Sequence, residues 1–593
     1  MSSQPPAPVE TAPLGLTLSL AAALPPLLAF NQTPAATLYN QLLALAGWGL
    51  ALVLLARAVP GWRSGLTSPA ALALALLLVA PLVSVCWRDL PLSLGLGATA
   101  VLGAGLAVLL AAQSLSREQR GRAAEALCWG LLAAGLASVA ISLVQVFMPA
   151  WADGSVIARS GIPGRAVGNL RQPNHLASLM MWTAVAAVFV TEKRRWRAAL
   201  APLLFACVFT VVLSASRTGF IGIAMLAVWG LVDRRLSRSA RLALMATPLM
   251  LGASWGLMAL WSAESGHAFG AASRLSEGAG SPSRLAILRD AWALTLAHPW
   301  LGVGWGEFNV AWSLTPFPNR PTAFFDHTHN LPSQLAVELG LPWAGAVLGL
   351  LGWALWRAWR GAARADGGPQ GRAMPSPPPE GVKETWGGPA FPCDDAPLRR
   401  AALMIVLTIG LHSLLEYPLW YAYFLLPACF ALGLALPAGE DAAPASARPW
   451  QVIGGLLVAG SAFAVWDYQR IVVIYAPSAD AGPLNARIAA GQRSPFFGHQ
   501  ADYAAATSFP PGKLALAAAR RTAFSLVDAR LLMHWSRSLE ATGDVAGARF
   551  VADRLREFRN ATGEQWFAAC DAASAAMPQC RPASDVIDWR TLR

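Results

Sequence analysis

Apolar runs long enough to cross a membrane recur about thirteen times along this chain. Nothing constrains a fold more, because ~30 Å of hydrocarbon demands ~20 residues whose backbone groups bond only to one another. The expected spans are 14–30, 36–56, 69–86, 94–114, 124–148, 175–191, 198–213, 217–232, 242–261, 331–356, 401–416, 418–437 and 449–467. Only 13% of the 593 residues are charged, against roughly 25% in soluble domains, and the mean hydropathy is +0.45. The expected fold class is an all-α polytopic membrane protein of about thirteen transmembrane helices, with an interfacial loop on its outer face and a helical domain at its C-terminal side.

Loop charge orients these spans. Arg57 and Arg63, Arg117 to Arg122, Lys193 to Arg197, Arg234 to Arg241 and Arg357 to Arg372 fall in every second loop. The positive-inside rule makes those loops cytoplasmic. Residues 1–13 are then a cytoplasmic N-terminus, 14–261 spans one to nine, 262–330 a large outer loop, 331–467 spans ten to thirteen, and 478–593 an exported domain. The first thirteen residues contain no Lys or Arg, so the first run reads as a retained helix and not a cleaved signal. Pro, Gly and charge dominate 361–400, which predicts a disordered cytoplasmic loop. Helical periodicity from Leu514 to Phe558, broken at Gly543-Asp544, predicts a helical hairpin of tetratricopeptide type.

The net charge of +12 is almost entirely arginine, since Lys193, Lys383 and Lys513 are the only lysines. These cations sit in short loops between apolar runs and form no stripe on a soluble domain, which argues against nucleic-acid binding. No C-x-x-C or Cys/His spacing marks a metal site among the seven cysteines. Cys86, Cys128, Cys207 and Cys429 lie in apolar runs and read as small buried hydrophobes, whereas Cys570 and Cys580 can pair if their domain is exported.

Three polar clusters interrupt the apolar pattern: Arg171-Gln172-Pro173-Asn174-His175, Ser216-Arg217-Thr218-Gly219 and His327-Thr328-His329-Asn330. Each immediately precedes an apolar run, and the loop charges put all three on the outer face. Ionisable residues at the mouths of membrane helices are costly, so they read as an anion-handling site. A helix N-terminus supplies free N–H groups and a positive dipole end. Asn330 is a good N-cap with Pro332 in the first turn, which places His329 just outside the helix on the aqueous side.

In the outer loop, Leu285, Leu288, Trp292 and Leu296 form one helical stripe flanked by Arg284 and Arg289, as in a helix lying in the membrane interface. Gly302, Gly304 and Gly306 follow no strand and read as a turn anchored by Trp300 and Trp305. Glu338, two turns into the tenth span, is expected in an ion pair with Arg or His. His412 stands one turn from Glu416, within reach of it. His267 and His298 have no supporting context.

At these residues a family resemblance becomes specific. Asn169-Leu170-Arg171-Gln172-Pro173-Asn174-His175, Ser216-Arg217-Thr218-Gly219, Arg284 with His298-Pro299-Trp300 and Gly304-Trp305-Gly306, and His329-Asn330 through Glu338-Leu339-Gly340 resemble the O-antigen ligase superfamily. His412 through Glu416-Tyr417-Pro418-Leu419-Trp420, with the exported domain, resembles its branch of bacterial O-linked oligosaccharyltransferases, which glycosylate pilins and other exported proteins.

The resemblance implies transfer of a preassembled glycan from an undecaprenyl pyrophosphate carrier to Ser or Thr of a pilin-like acceptor, at the periplasmic face of the bacterial inner membrane. It implies His329 as catalytic base, Arg217, Arg284, Arg289, Arg171 and His175 at the donor pyrophosphate, and Asn174, Asn330, His327, Glu338, His412 and Glu416 in support. Leu288 stands where relatives often carry Trp, which leaves the loop-arginine role open between Arg284 and Arg289. The chemistry agrees: a leaving pyrophosphate needs cations and N–H donors, and a hydroxyl nucleophile needs a base working near neutral pH. No metal and no cofactor is expected, arginine replacing the divalent ion. O-antigen ligation onto lipid A–core and O-antigen polymerisation are the alternatives within the class. A lipid-linked glycan transporter is the outsider, disfavoured because polarity gathers at one face and not at the midplane.

Overall fold

A computed structural model of the chain describes residues 12–58, 62–63, 67–272, 282–364, 396–437, 444–445, 447–570 and 577–593. It is a polytopic helical membrane protein. Each expected span has a helical counterpart: Ala12–Leu27, Leu38–Ala58, Pro69–Trp87, Leu92–Ser114, Arg117–Phe147, Pro173–Arg194, Arg197–Ser214, Arg217–Val232, the pair Arg238–Met245 and Thr247–Ser265, the pair Leu331–Leu339 and Leu341–Arg364, Ala396–Ser413, Ala422–Ala435, and Arg448–Tyr475. Among the described residues, seven of these are long and apolar enough to cross a membrane unaided, and the pair bent by 44° makes an eighth. The others are shorter or broken, so length alone does not establish the count of thirteen.

The tenth span is not the single helix that periodicity predicts. It stops at Leu339 and restarts at Leu341 because Gly340 adopts φ +79°, where a side chain is strained. A Cβ at Gly340 would lie 2.4 Å from the Trp300 carbonyl oxygen. The glycine turn at 302–306 packs into this break by backbone bonds: Val303 N–H donates to Val337 O at 2.8 Å, and Gly304 N–H to Glu338 O at 3.0 Å. Main chain, and not the expected Trp300 side chain, anchors that turn, since Trp300 is exposed.

Small residues let helices approach closely where no hydrophobic effect drives them together. Arg448–Tyr475 packs along Leu38–Ala58 with Gly454 against Gly49, and a Cβ on Gly454 would meet the Gly49 carbonyl oxygen at 2.5 Å. At 28 residues this helix is about 42 Å long. It therefore outruns the hydrocarbon and carries the chain into the C-terminal domain. At the opposite end of the bundle, Glu125 pairs with Lys193 and Arg194, both at 2.6 Å, and Arg400 with Asp233 at 3.2 Å.

The C-terminal domain contains two consecutive helical hairpins where one was expected: Gly498–Ser508 with Lys513–Thr522, then Ala529–Ala541 with Val545–Phe558. Cys570 and Cys580 form a disulfide. The domain packs on the bundle through buried partners. Ser93 meets His499 at 3.0 Å, Arg320 donates to Glu557 at 3.1 Å, and Phe324 stacks on Phe558 at 3.8 Å. Cys128, Cys207 and Cys429 are buried as expected, but Cys86 is exposed. The expected disordered loop 361–400 is helical at both margins, to Arg364 and from Ala396, and its 365–395 core lies outside the described residues, as do 1–11 of the N-terminus.

Gly454→Leu should lower the melting temperature of the detergent-solubilised protein, overpacking at such a contact costing roughly 1–3 kcal/mol. Gly455→Leu, whose Cβ meets nothing within 4 Å, should leave it unchanged.

Candidate functional site

The three polar clusters meet at one end of the bundle, and the carboxylate of Glu416 joins them. Glu416 lies in the turn between Ala396–Ser413 and Ala422–Ala435, its side chain only 7% exposed. Oε1 accepts from Asn174 Nδ2 at 2.6 Å and from Arg284 Nη2 at 2.9 Å; Oε2 accepts from Gln172 Nε2 at 2.8 Å and lies 3.5 Å from His412 Nε2. His412 Nδ1 is in turn 2.7 Å from Ser178 Oγ. Ser216 Oγ donates to Asn174 Oδ1 at 2.6 Å and caps its own helix by accepting from Gly219 N–H at 3.1 Å. That helix begins at Arg217. Gly219 permits the arrangement, since a Cβ there would lie 2.6 Å from Val211 Cγ1 and 2.9 Å from Ala177 Cβ.

The third cluster joins through Asn330, which caps Leu331–Leu339 by accepting from Ser333 N–H at 2.9 Å and donates from Nδ2 to Leu414 O at 2.9 Å. His329 precedes it in the left-handed region at φ +56°. Its ring is half-buried between Phe325 and Tyr417, at 5.3 and 5.2 Å between centroids, and is not the surface imidazole that a residue outside a cap suggests. Its Nδ1 is buried with no hydrogen-bond partner among the described residues. His327 stacks on the same Tyr417 at 4.3 Å and approaches Asp326 at 3.0 Å.

Other expected site residues fall elsewhere. Arg171 directs its guanidinium at the backbone, donating to Ala29 O and to Asn169 O. His175 is buried in a box of Tyr421, Tyr423 and Phe424, with Nδ1 3.1 Å from Tyr423 OH. Arg289 lies on Asp290 at 3.0 Å, so of the two loop arginines only Arg284 reaches Glu416. Glu338 departs in part from the expected pairing: its carboxylate accepts from the backbone N–H groups of Gly306 and Phe308, bonds the Gln334 side chain and feels the charge of His327, with no arginine bound to it among the described residues. Gly306 at the end of the turn and Phe308 at the start of the next helix each direct an amide at it, and those amides supply part of what an ion pair was expected to provide. The stripe of Pro282–Ala297 is turned outward, with Leu285, Trp292 and Leu296 more than half exposed and Ile287, Ala291 and Leu294 buried behind.

Sequence reasoning assigned no role to Gln172, Ser178 or Tyr417. Ser178 stands four residues after Asn174, one helical turn on the same face, which was the available signal. Beside this cluster an apolar cavity of about 1560 Å³ descends between the helices. Leu331, Leu335, Trp420 and Leu425 line it together with His327, and Phe496 and Phe524 of the C-terminal domain contribute to the same lining.

Each part of the site falls within a stretch that matches a known family. Residues 166–189 match a model described as protein glycosylation ligase, 202–349 one described as O-antigen ligase, and 400–570 one described as the C-terminal part of virulence factor membrane-bound polymerases. By these matches the chain is similar to the O-antigen ligases and to protein glycosylation ligases. The general O-oligosaccharyltransferase of Acinetobacter baylyi is 24% identical over 312 residues, covering 50% of this chain and 48% of that relative. The chain thus matches about half the length of this curated member of the superfamily.

Burial alone would raise the Glu416 carboxyl, but the His412 hydrogen bond and the charges of His412, His175 and His329 reverse that and hold it down at about 2, against an ordinary 4.5. The ionised form is therefore favoured by folding. Its contribution is complete above pH 4.5 and is lost as pH falls from there through about 2. Melting followed at pH 7, 4.5 and 3 should show this acid-sensitive component in the wild type and a flatter profile in Glu416→Gln; equal acid sensitivity would mean the carboxylate is not so held.

Proposed function

We propose that this chain transfers a preassembled glycan from an undecaprenyl pyrophosphate carrier to a Ser or Thr hydroxyl of an exported, pilin-like protein at the periplasmic face of the inner membrane. The observation that carries this reading is the Glu416 network. It draws Arg284 and, through Asn174 and Ser216, the Arg217 helix end to one rim, with His329 on the adjoining Tyr417. Cations and helix N–H groups at that rim suit a departing pyrophosphate. The apolar cavity beneath suits an isoprenoid tail. The O-oligosaccharyl transfer for which the Acinetobacter relative is named supports the same class of reaction. The match over 400–570 favours polymerisation as a second reading, in which another lipid-linked glycan is the acceptor.

In this reaction the acceptor oxygen bonds to the anomeric carbon of the glycan as the bond from that carbon to the phosphate oxygen breaks. The pyrophosphate leaves with the bonding electrons and the hydroxyl proton passes to His329. Burial, aided by Arg284 and His327 against Glu416 and Asp326, puts the His329 imidazole below its usual 6.5. The ring is then neutral and able to accept a proton at pH 7. Arg217 and Arg284 stabilise the developing charge in place of a divalent ion, so metal independence is part of the proposal. The orientation rests on the arginine-rich opposite end and on the Cys570–Cys580 disulfide, which suits an oxidising compartment.

The test is transfer by the reconstituted protein from lipid-linked glycan to a Ser-bearing protein. Product should form in the presence of EDTA, and rescue of an EDTA-inactivated enzyme by magnesium would refute the metal-free mechanism. Product only on lipid-linked glycan would favour polymerisation. His329→Ala should abolish transfer, and the acid limb of the wild-type profile should lie below pH 6.5, because protonation removes the base as pH falls through its lowered pKa. Arg217→Lys keeps charge but loses the bidentate fork, and should lose most activity. A periplasm-active reporter after Arg593 should be on, and one within 365–395 off.

A further inference from the structure

The turn Trp589–Leu592 and the residue after it lie against the active-site loop, not on the outside of their own domain. Trp589 and Leu592 are buried. Arg593 pairs with the fully buried Glu307 and sits over the Phe524 and Trp589 rings, 5.2 Å from each centroid. Arg590 Nη1 is 3.2 Å from His298 Nε2. His298 and Glu307 bracket the glycine turn. Between them, Gly302 and Gly304 fit so closely that a Cβ would lie 2.4 Å from the Glu338 backbone and 2.2 Å from Glu307 Oε1. The turn holds Val337 and Glu338 by backbone bonds, and Leu341 N–H donates to Pro299 O at 2.7 Å. Those residues end the short helix whose N-cap, Asn330, follows His329.

We propose that Arg593 and Glu307 form a positioning latch by which the C-terminal domain sets the placement of His329. A rigid path runs from Arg593 through Glu307 and the glycine turn to Leu331–Leu339, a helix of nine residues with no slack at either end. Of the three arginines whose charge reaches Glu307, only Arg593 is bonded to it among the described residues, Arg88 and Arg590 standing farther off, so loss of Arg593 leaves a buried carboxylate driven to take up a proton or find water. Either response loosens the turn beside Gly304. The donor rim is on Arg217–Val232 and on Pro282–Ala297; the latter leads into His298, but its Arg284 stands at the opposite end of that helix and keeps its own hold on Glu416. The latch acts on the base and not on the donor.

The activity arm rests on the function proposed above; the exchange arm does not. In the full-length protein, Arg593→Ala should lower kcat for transfer at least tenfold with the KM for lipid-linked glycan changed less than twofold, since small misplacement of a reacting group is costly. Glu307→Gln should lower kcat too, and adding Arg593→Ala to it should do little more, as expected of a coupled pair. Arg593→Lys should recover part of the rate. Additive losses, or a rise in donor KM without a fall in kcat, would overturn the latch. Hydrogen–deuterium exchange reads the same path without activity. Arg593→Ala should speed exchange at Val303, Gly304 and Leu341, and a change confined to 577–593 would refute the proposal. A wild-type protein that transfers no glycan would refute the proposed function while the exchange result still judged the latch.

Discussion

A carboxylate as buried as Glu416 needs donors on both oxygens, and this one takes them from parts of the chain more than a hundred residues apart. Leaving such a charge unpaired would cost several kcal/mol. The helices bearing Gln172, Asn174, Arg284 and His412 are therefore not free to separate at this end of the bundle. Two of these groups also have a second attachment: Asn174 to Ser216, His412 to Ser178. Through Asn174 and Ser216 the network extends the constraint to the Arg217 helix end. A polar knot of this kind specifies geometry where apolar packing alone would tolerate sliding, because hydrogen bonds have direction and dispersion does not.

The spans were legible because hydrocarbon imposes one simple period of length and polarity, and every expected run proved helical. Their interruptions were not. The breaks at Gly340 and Ala246 lie inside apolar sequence, where Gly340 with Pro342, and Pro248, mark weak points without saying whether the helix stops or only bends. Caps were legible at Asn330 and Ser216, since capping is local. Glu416 with His412 was legible as an i, i+4 pair; its partners Gln172 and Arg284 are long-range and announce themselves by no spacing. Glu338 was legible only in part for a related reason. A buried carboxylate must be satisfied, but sequence does not say whether by a side chain or by main-chain amides, and the glycine turn supplied amides. His298 seemed to lack context because its partner, Arg590, is 292 residues away.

The distribution of polarity bears on what kind of machine this is. A transporter needs a polar path through the midplane and two arrangements of its helices around a central site. Here the ionised groups that meet one another do so at the ends of the bundle. The large interior space is lined by Leu, Phe and Trp, which lowers the energy of an apolar chain and raises that of a sugar or phosphate. A molecule with a long hydrocarbon tail and an anionic head would be divided by this gradient, tail in the cavity and head at the rim, its reacting bond held level with His329. Phe496 and Phe524 in the cavity lining belong to the C-terminal domain, so that domain borders the cavity as well as contacting the 302–307 loop through Arg593 and Glu307. A tethered acceptor module would need neither contact. The buried Ser93–His499 and Arg320–Glu557 pairs make the domain part of the bundle's own end, and any acceptor must approach across it or beside it.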